Sequence, residues 1–155
     1  MTHPAPRDRQ QRRRDTLAKL TQPAADVWVA TASSSGPSAD PYLVPLSLAW
    51  IDERVVIAVE SSSRTARNIE GSRAARLALG PTRDVVVIDA RLEHSVPVAD
   101  GQELAERYVG QADWDPRTAG GSYRFLVLRP ERIQAWREAD ELPGRTLMRD
   151  GTWLT

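Results

Sequence analysis

Glu60-Ser-Ser-Ser-Arg-Thr-Ala-Arg-Asn-Ile69 is the stretch on which the reading of this chain turns. Just before it, Val55-Val-Ile-Ala-Val59 is short, apolar and rich in β-branched residues, the composition of a buried strand. Within and beyond it, Thr65 to Gly71 reads as a short helix stopped by Gly71. Strand, hydroxyl-rich turn and helix start thus follow one another, with Arg64 and Arg67 at the helix entry. Free N–H groups, hydroxyls and guanidinium forks are the donors that an anionic group such as a phosphate requires. The same residues also fit a plain helix cap, Ser63 or Thr65, flanked by two solvated arginines.

Composition narrows the context. With 155 residues, 41% of them hydrophobic and 27% charged, a single soluble domain with a substantial core is expected. The formal net charge is zero, so nothing draws the whole chain toward nucleic acid or a membrane surface. The absence of cysteine removes disulfides, thiol catalysis and thiolate metal sites, which fits a cytoplasmic protein. No apolar run approaches the length of a membrane span. Arg12 to Arg14 lacks the apolar segment that a twin-arginine export signal needs. Lys19 is the sole lysine, a bias that weakens the functional meaning of any single arginine.

Residues 1–12 are expected to form a flexible basic N-terminus, with a disordered tip at Met1 to Pro6, and 13–155 a single domain. Arg7 to Leu20 suits an amphipathic helix ended by Pro23; without interleaved aromatics it does not read as a nucleic-acid arm. Asp26 to Ala32 alternates as a strand and breaks at Ser33-Ser-Ser-Gly-Pro37. Tyr42 to Ile51 reads as one long strand whose Pro45 belongs at an edge or bulge. A tight turn at Asp52-Glu-Arg54 returns the chain as a hairpin, and Ala74 to Leu79 and Asp84 to Glu93 are further strands. Gly101 to Val109 carries helical spacing, and Tyr123 to Pro130 is a last long strand followed by Arg132 to Trp136. The tail holds Leu147, Met148, Trp153 and Leu154, which must cover something, with a second subunit as one candidate. About six strands joined by short turns, plus three short helices, indicate a mainly β, antiparallel barrel.

Taken in order, Val27 to Ala32, Pro45 to Trp50, Val59 to Ile69 and Arg129 to Trp136 resemble the pyridoxamine 5'-phosphate oxidase-like family, with its FMN-binding split β-barrel. The likeness runs from about Arg13 to Trp136, and the tail from Gly144 to Trp153 is similar to the actinobacterial flavin- and deazaflavin-dependent oxidoreductase branch. The resemblance implies a homodimer with two flavin sites at its interface. Carried over by position, Ser62, Ser63, Arg64 and Thr65 hold the cofactor phosphate, braced by Arg67 and Asn68, with Ser61 in the same turn. The isoalloxazine ring would lie against the backbones of Pro45 to Leu48, Pro45 and Ser47 included, and of Ala58, Val59 and Glu60. Trp136 and Trp153 would reach the ring or close the pocket from the partner chain; for Trp136 a core or interface anchor is the other reading. Arginine at position 64, where many relatives have lysine, keeps the charge and changes the geometry.

The resemblance implies an oxidoreductase passing a hydride between FMN and a small conjugated substrate. Alternatives are coenzyme F-420 as a dissociable cosubstrate in the same groove, or a non-catalytic cofactor-binding or structural dimer. The longer anionic tail of F-420 would call on Arg64, Arg67 and Arg73. Some relatives bind haem breakdown products. Arg145 to Arg149 does not reproduce the substrate-phosphate motif of the oxidases proper, so vitamin B6 oxidation is not expected. His3 and His94 are too isolated for a metal site or triad, and Asp84 and Asp89 fall on opposite strand faces. No acid–base pair stands out, as suits chemistry carried by a cofactor.

Overall fold

A computed structural model describes residues 4–33 and 35–155. Met1 to His3 of the expected tip, and Ser34 of the expected loop, lie outside the described residues. The chain runs α1 (Arg9–Thr21), β1 (Asp26–Ala32), β2 (Pro41–Ser47), β3 (Ala49–Ile51), β4 (Arg54–Glu60), α2 (Arg64–Ser72), β5 (Ala74–Leu79) and β6 (Val85–Pro97). It continues through α3 (Gln102–Gln111), β7 (Tyr123–Trp136), β8 (Thr146–Arg149) and β9 (Thr152–Trp153), with short 3-10 turns between. Every strand pairing is antiparallel, in the order β2-β1-β5-β6-β7-β4-β3, with the β8–β9 hairpin added beside β7. The mainly β, antiparallel split-barrel class expected from the sequence is the one observed. The sheet has nine strands rather than six and does not close.

The split begins at Leu48. Tyr42 to Ile51 was expected as one strand, but Leu48 donates its N–H to Ala25 O (3.1 Å), which separates β2, paired with β1, from β3, paired with β4. From there β2 and β4 diverge, and α2 packs against β1, β2, β4 and β5, burying Ala66 and Ile69 completely. Pro45 sits on β2, an edge strand whose only partner among the described residues is β1, a position that tolerates its missing N–H.

Strand β4 shows why its sequence barely alternates: both of its faces are covered. Val55, Ile57 and Val59 enter the main core with Leu126, Leu128 and Ile88. Val56 and Ala58 face a second core with Phe125 and Tyr108, roofed by α3. There the Tyr108 ring lies 5.3 Å from Phe125 and 6.3 Å from Trp114, and burial, outweighing the nearby Trp114, pushes its pKa up to about 12. Asp52 and Glu53, both at positive φ (51° and 59°), make the β3–β4 hairpin turn.

Strand β7 passes straight through Pro130, where the sequence suggested an end. The β6 register slips there, Asp89 facing Arg132 and Ala90 facing Pro130, so Glu131 is bulged out and the proline falls where a bulge tolerates it. The expected stop of α2 at Gly71 also moves: the helix continues to Ser72, and Arg73 adopts the left-handed cap (φ 64°), donating to Ile69 O at 2.7 Å. Thr21 ends α1 just before Gln22, which is extended, and Pro23, as expected.

Leu147 and Met148 are buried in the main core, with Met148 opposite Ile133, so the tail covers its own sheet. Arg13 lies 4.6 Å from the centre of the Trp153 ring. The basic run expected to be flexible is tied down as well. Glu141, 2% exposed, accepts from Arg7 N, Arg7 Nε, Arg7 Nη2 and Arg137 N at 2.7–3.0 Å. Arg12 is buried and donates to Glu141 O at 2.8 Å. Among the described residues no helix is long and apolar enough to cross a membrane.

Candidate functional site

The corner between β4 and α2 is built largely from backbone. Glu60 O accepts from Ser63 N (3.0 Å), Ser61 N donates to Ser122 O (2.9 Å), and Ser63 Oγ caps the helix by accepting from Ala66 N (3.1 Å). The first intrahelical bond is donated by Arg67 N to Ser63 O, so the N–H groups of Arg64 and Thr65 precede it and point out of the helix start. The helix dipole adds partial positive charge at the same place.

Arg64 and Arg67, three residues apart, stand on one side of the helix. With Asn68, Ser33, Ser35 and Asp40 they line a polar cavity of about 280 Å³. Arg54, Arg107 and Arg124 elsewhere in the chain have carboxylate partners; among the described residues Arg64 and Arg67 have none. Arg64 instead lies 5.2 Å from the centre of the Tyr42 ring. Asn68 is nearly buried and its Nδ2 donates to the buried Thr31 Oγ1 at 3.1 Å, which fixes the side chain from below. Two cations, a helix N-terminus and a clamped amide suit a phosphate better than they suit a solvated surface.

The expected site residues divide into three groups. Arg64, Arg67 and Asn68 come together in the cavity, whereas Ser62 is exposed, Thr65 is buried beneath the helix, and the Ser63 hydroxyl is engaged in the cap. Ser61 turns toward a separate cleft beside Pro97 and Tyr123, and Val59 is a core residue. The Glu60 carboxylate accepts from Ser122 N (3.2 Å) and its Oε2 lies 2.6 Å from where a Cβ on Gly121 would stand, so it packs against and holds the 120–122 loop.

Pro45 and Ser47 line a groove of about 610 Å³ with Trp28 and Gly80, on the outer face of the sheet. Trp136 shares that face. It pairs with Val85 at the end of the sheet where β1 begins, while the cavity lies where β1 ends. Within one chain Trp136 does not line the cavity, and Arg145 covers its ring at 5.9 Å. Arg73 points away as well, donating to Leu92 O (3.4 Å). Sequence reasoning missed Asp40, Ser33, Ser35 and the Thr31 brace. The strand register brings them in: Ala32 faces Pro41, so both ends of the intervening loop meet at the start of α2.

The family model described as pyridoxamine 5'-phosphate oxidase matches residues 15–137. No curated protein matches in sequence. Among solved structures, an F420 reductase is 20% identical, with 75% of this chain and 94% of that chain covered and a TM-score of 0.57. A heme binding protein from Mycobacterium smegmatis is 17% identical over 97% of this chain, with a TM-score of 0.65; this chain spans 60% of its length. A pyridoxamine 5'-phosphate oxidase-related, FMN binding protein from Nostoc punctiforme is 16% identical, with 82% of this chain and 78% of that chain covered and a TM-score of 0.51. At these identities the likeness is one of fold.

Proposed function

Because this chain belongs to the pyridoxamine 5'-phosphate oxidase family, we propose that it is a flavin-dependent oxidoreductase holding FMN by its phosphate at the entrance of α2. The observation that carries the reading is the pair Arg64 and Arg67, lining a polar cavity at a helix N-terminus without carboxylate partners among the described residues. Their guanidiniums and the first-turn N–H groups would bind the phosphate, and Asn68, held by Thr31, would orient it. Bound there, the flavin would supply hydride transfer to or from a small conjugated substrate. The chain's own part is to bind, orient and shield it.

The cavity accommodates the phosphate end, so the ring must extend outside it. The outer sheet face is the exposed apolar surface that reaches it. Pro45, Trp28, Ala78 and Val87 face one another across four strands, with Leu43 and Ala30 in the adjacent row. Trp28 and Leu43 are 51% and 58% exposed, an apolar surface that a second copy of the chain would cover. In the homodimer so formed, Pro45, Ser47 and Trp136 would line the ring's surroundings from two protomers.

A second reading, supported by the fold likeness to an F420 reductase, places the deazaflavin F-420 in the same groove as a dissociable cosubstrate. The deciding experiment is the visible absorption spectrum of the purified protein, followed by titration with FMN and with F-420. A yellow protein, or FMN binding with shifted flavin bands, is expected. Binding of F-420 alone would replace FMN with the deazaflavin, and binding of neither would end the redox proposal.

A further inference from the structure

The cavity at the α2 entrance holds a charge that a plain anion site does not need. Asp40 lines it together with Arg64 and Arg67. Its position is set by the fold: it immediately precedes Pro41, the first residue of β2, which is locked in register opposite Ala32. Ser38 Oγ donates to Asp40 Oδ1 at 3.2 Å, steadying the carboxylate from its own loop. The cavity therefore offers two guanidiniums and one carboxylate. Arg73, the remaining cation that the sequence offered for a long anionic tail, is turned toward Leu92 on β6 and adds nothing here.

A dianionic phosphate monoester uses both guanidiniums. The neutral hydroxyl-bearing chain behind it can donate to the Asp40 carboxylate, a charge-assisted hydrogen bond. A tail bearing further carboxylates instead brings like charge up to Asp40, with no additional cation among the described residues of the cavity to offset it. We propose that Asp40 is a specificity-determining residue of this site. It favours a cofactor that ends in one phosphate monoester on a polyhydroxyl chain and disfavours one whose tail carries extra carboxylates, an inference that rests on reading the cavity as the cofactor-phosphate site.

The test is a fluorescence titration of the full-length wild-type protein and of Asp40→Asn and Arg64→Ala with FMN, riboflavin and F-420, at low and high salt. Asp40→Asn is expected to shift the affinity ratio toward F-420 by roughly three- to tenfold at low salt, through relief of a single like-charge contact. High salt should shrink that shift. Arg64→Ala should weaken FMN and F-420 together and leave riboflavin, which has no phosphate, nearly unchanged. An FMN to F-420 ratio that Asp40→Asn leaves within about twofold, with both ligands bound, overturns the role of Asp40 and spares the cofactor site. Failure of the wild type and the variants to bind any of the three overturns the site and the inference together.

Discussion

Arg64 and Arg67 are the residues whose surroundings say most about them. An arginine held by a carboxylate contributes to the fold, and its removal is felt in stability; neither of these has such a partner among the described residues. Among the described residues Arg64→Ala gives up the Tyr42 contact, worth about 0.5–1 kcal/mol at an exposed site. Its thermal midpoint should therefore stay close to wild type while FMN affinity falls by about 1.5–3 kcal/mol per lost charge-assisted bond. A calorimetric scan beside an FMN titration checks both halves. If the midpoint drops and the affinity does not, the arginine is structural. Thr31→Val tests the support beneath the site. It leaves the buried Asn68 amide without its acceptor, a loss of about 1–3 kcal/mol readable in the urea midpoint. The two predictions also mark what the sequence reveals at this scale. Arg64, Arg67 and Asn68 are legible because they share one short helix start. Thr31 and Asp40 reach the same point only through the β1–β2 register, which local pattern does not encode.

At the level of elements, the reading from sequence succeeds where one face of a strand or helix is buried and fails where pairing partners change. β1, with Val27, Val29 and Thr31 inward and Asp26 and Trp28 outward, alternates visibly. The break at Leu48 and the bulge at Glu131 depend on which neighbour each half of a strand adopts, and a continuous apolar run gives no sign of that. The N-terminal helix is a similar case. Arg7 and Arg12 look like a solvated basic cluster until Glu141, far along the chain, closes on them. The side-chain hydrogen bonds from Arg7, outweighing the cost of burial, hold the Glu141 carboxyl down at about 2 from an ordinary 4.5. A depressed carboxylate pKa contributes stability that is fully present above the unfolded value and is lost as pH falls through the folded one. Glu141→Gln should thus lower stability by up to roughly 3 kcal/mol near neutrality, because the depressed carboxylate is lost, while Arg7 keeps Asp15 and Asp84 at 2.8 and 3.2 Å. The gap between wild type and variant should narrow between about pH 4.5 and 2. Urea unfolding at several pH values measures this directly, and a gap independent of pH would show that the carboxylate charge is not what holds α1 to the tail.

For the whole molecule the question is where the ring of the proposed flavin would go, since the cavity proposed for its phosphate is small and the residues expected around the ring do not come together in one chain. Pro45 and Ser47 lie on the outer sheet face, Trp136 at the far end of that face, and Arg64 at the other end of β1. A rotated second copy could bring one chain's far end onto the other's cavity, as a C2 dimer does when a surface patch meets itself. The exposed Trp28 and Leu43 lie in the middle of that patch, on side chains that the protomer does not bury. Trp28→Glu combined with Leu43→Glu should therefore leave the protomer folded and its thermal unfolding cooperative, while sedimentation is expected to show a dimer for the wild type and a monomer for the variant. The second readout separates assembly from chemistry. If the ring is bound by both protomers, the monomeric variant should lose most of its FMN affinity although Arg64, Arg67 and Asn68 are untouched. If it sediments as a monomer and still binds FMN as tightly as the wild type, the ring lies within one chain, and Trp136 serves as a surface anchor beneath Arg145 rather than as part of the site.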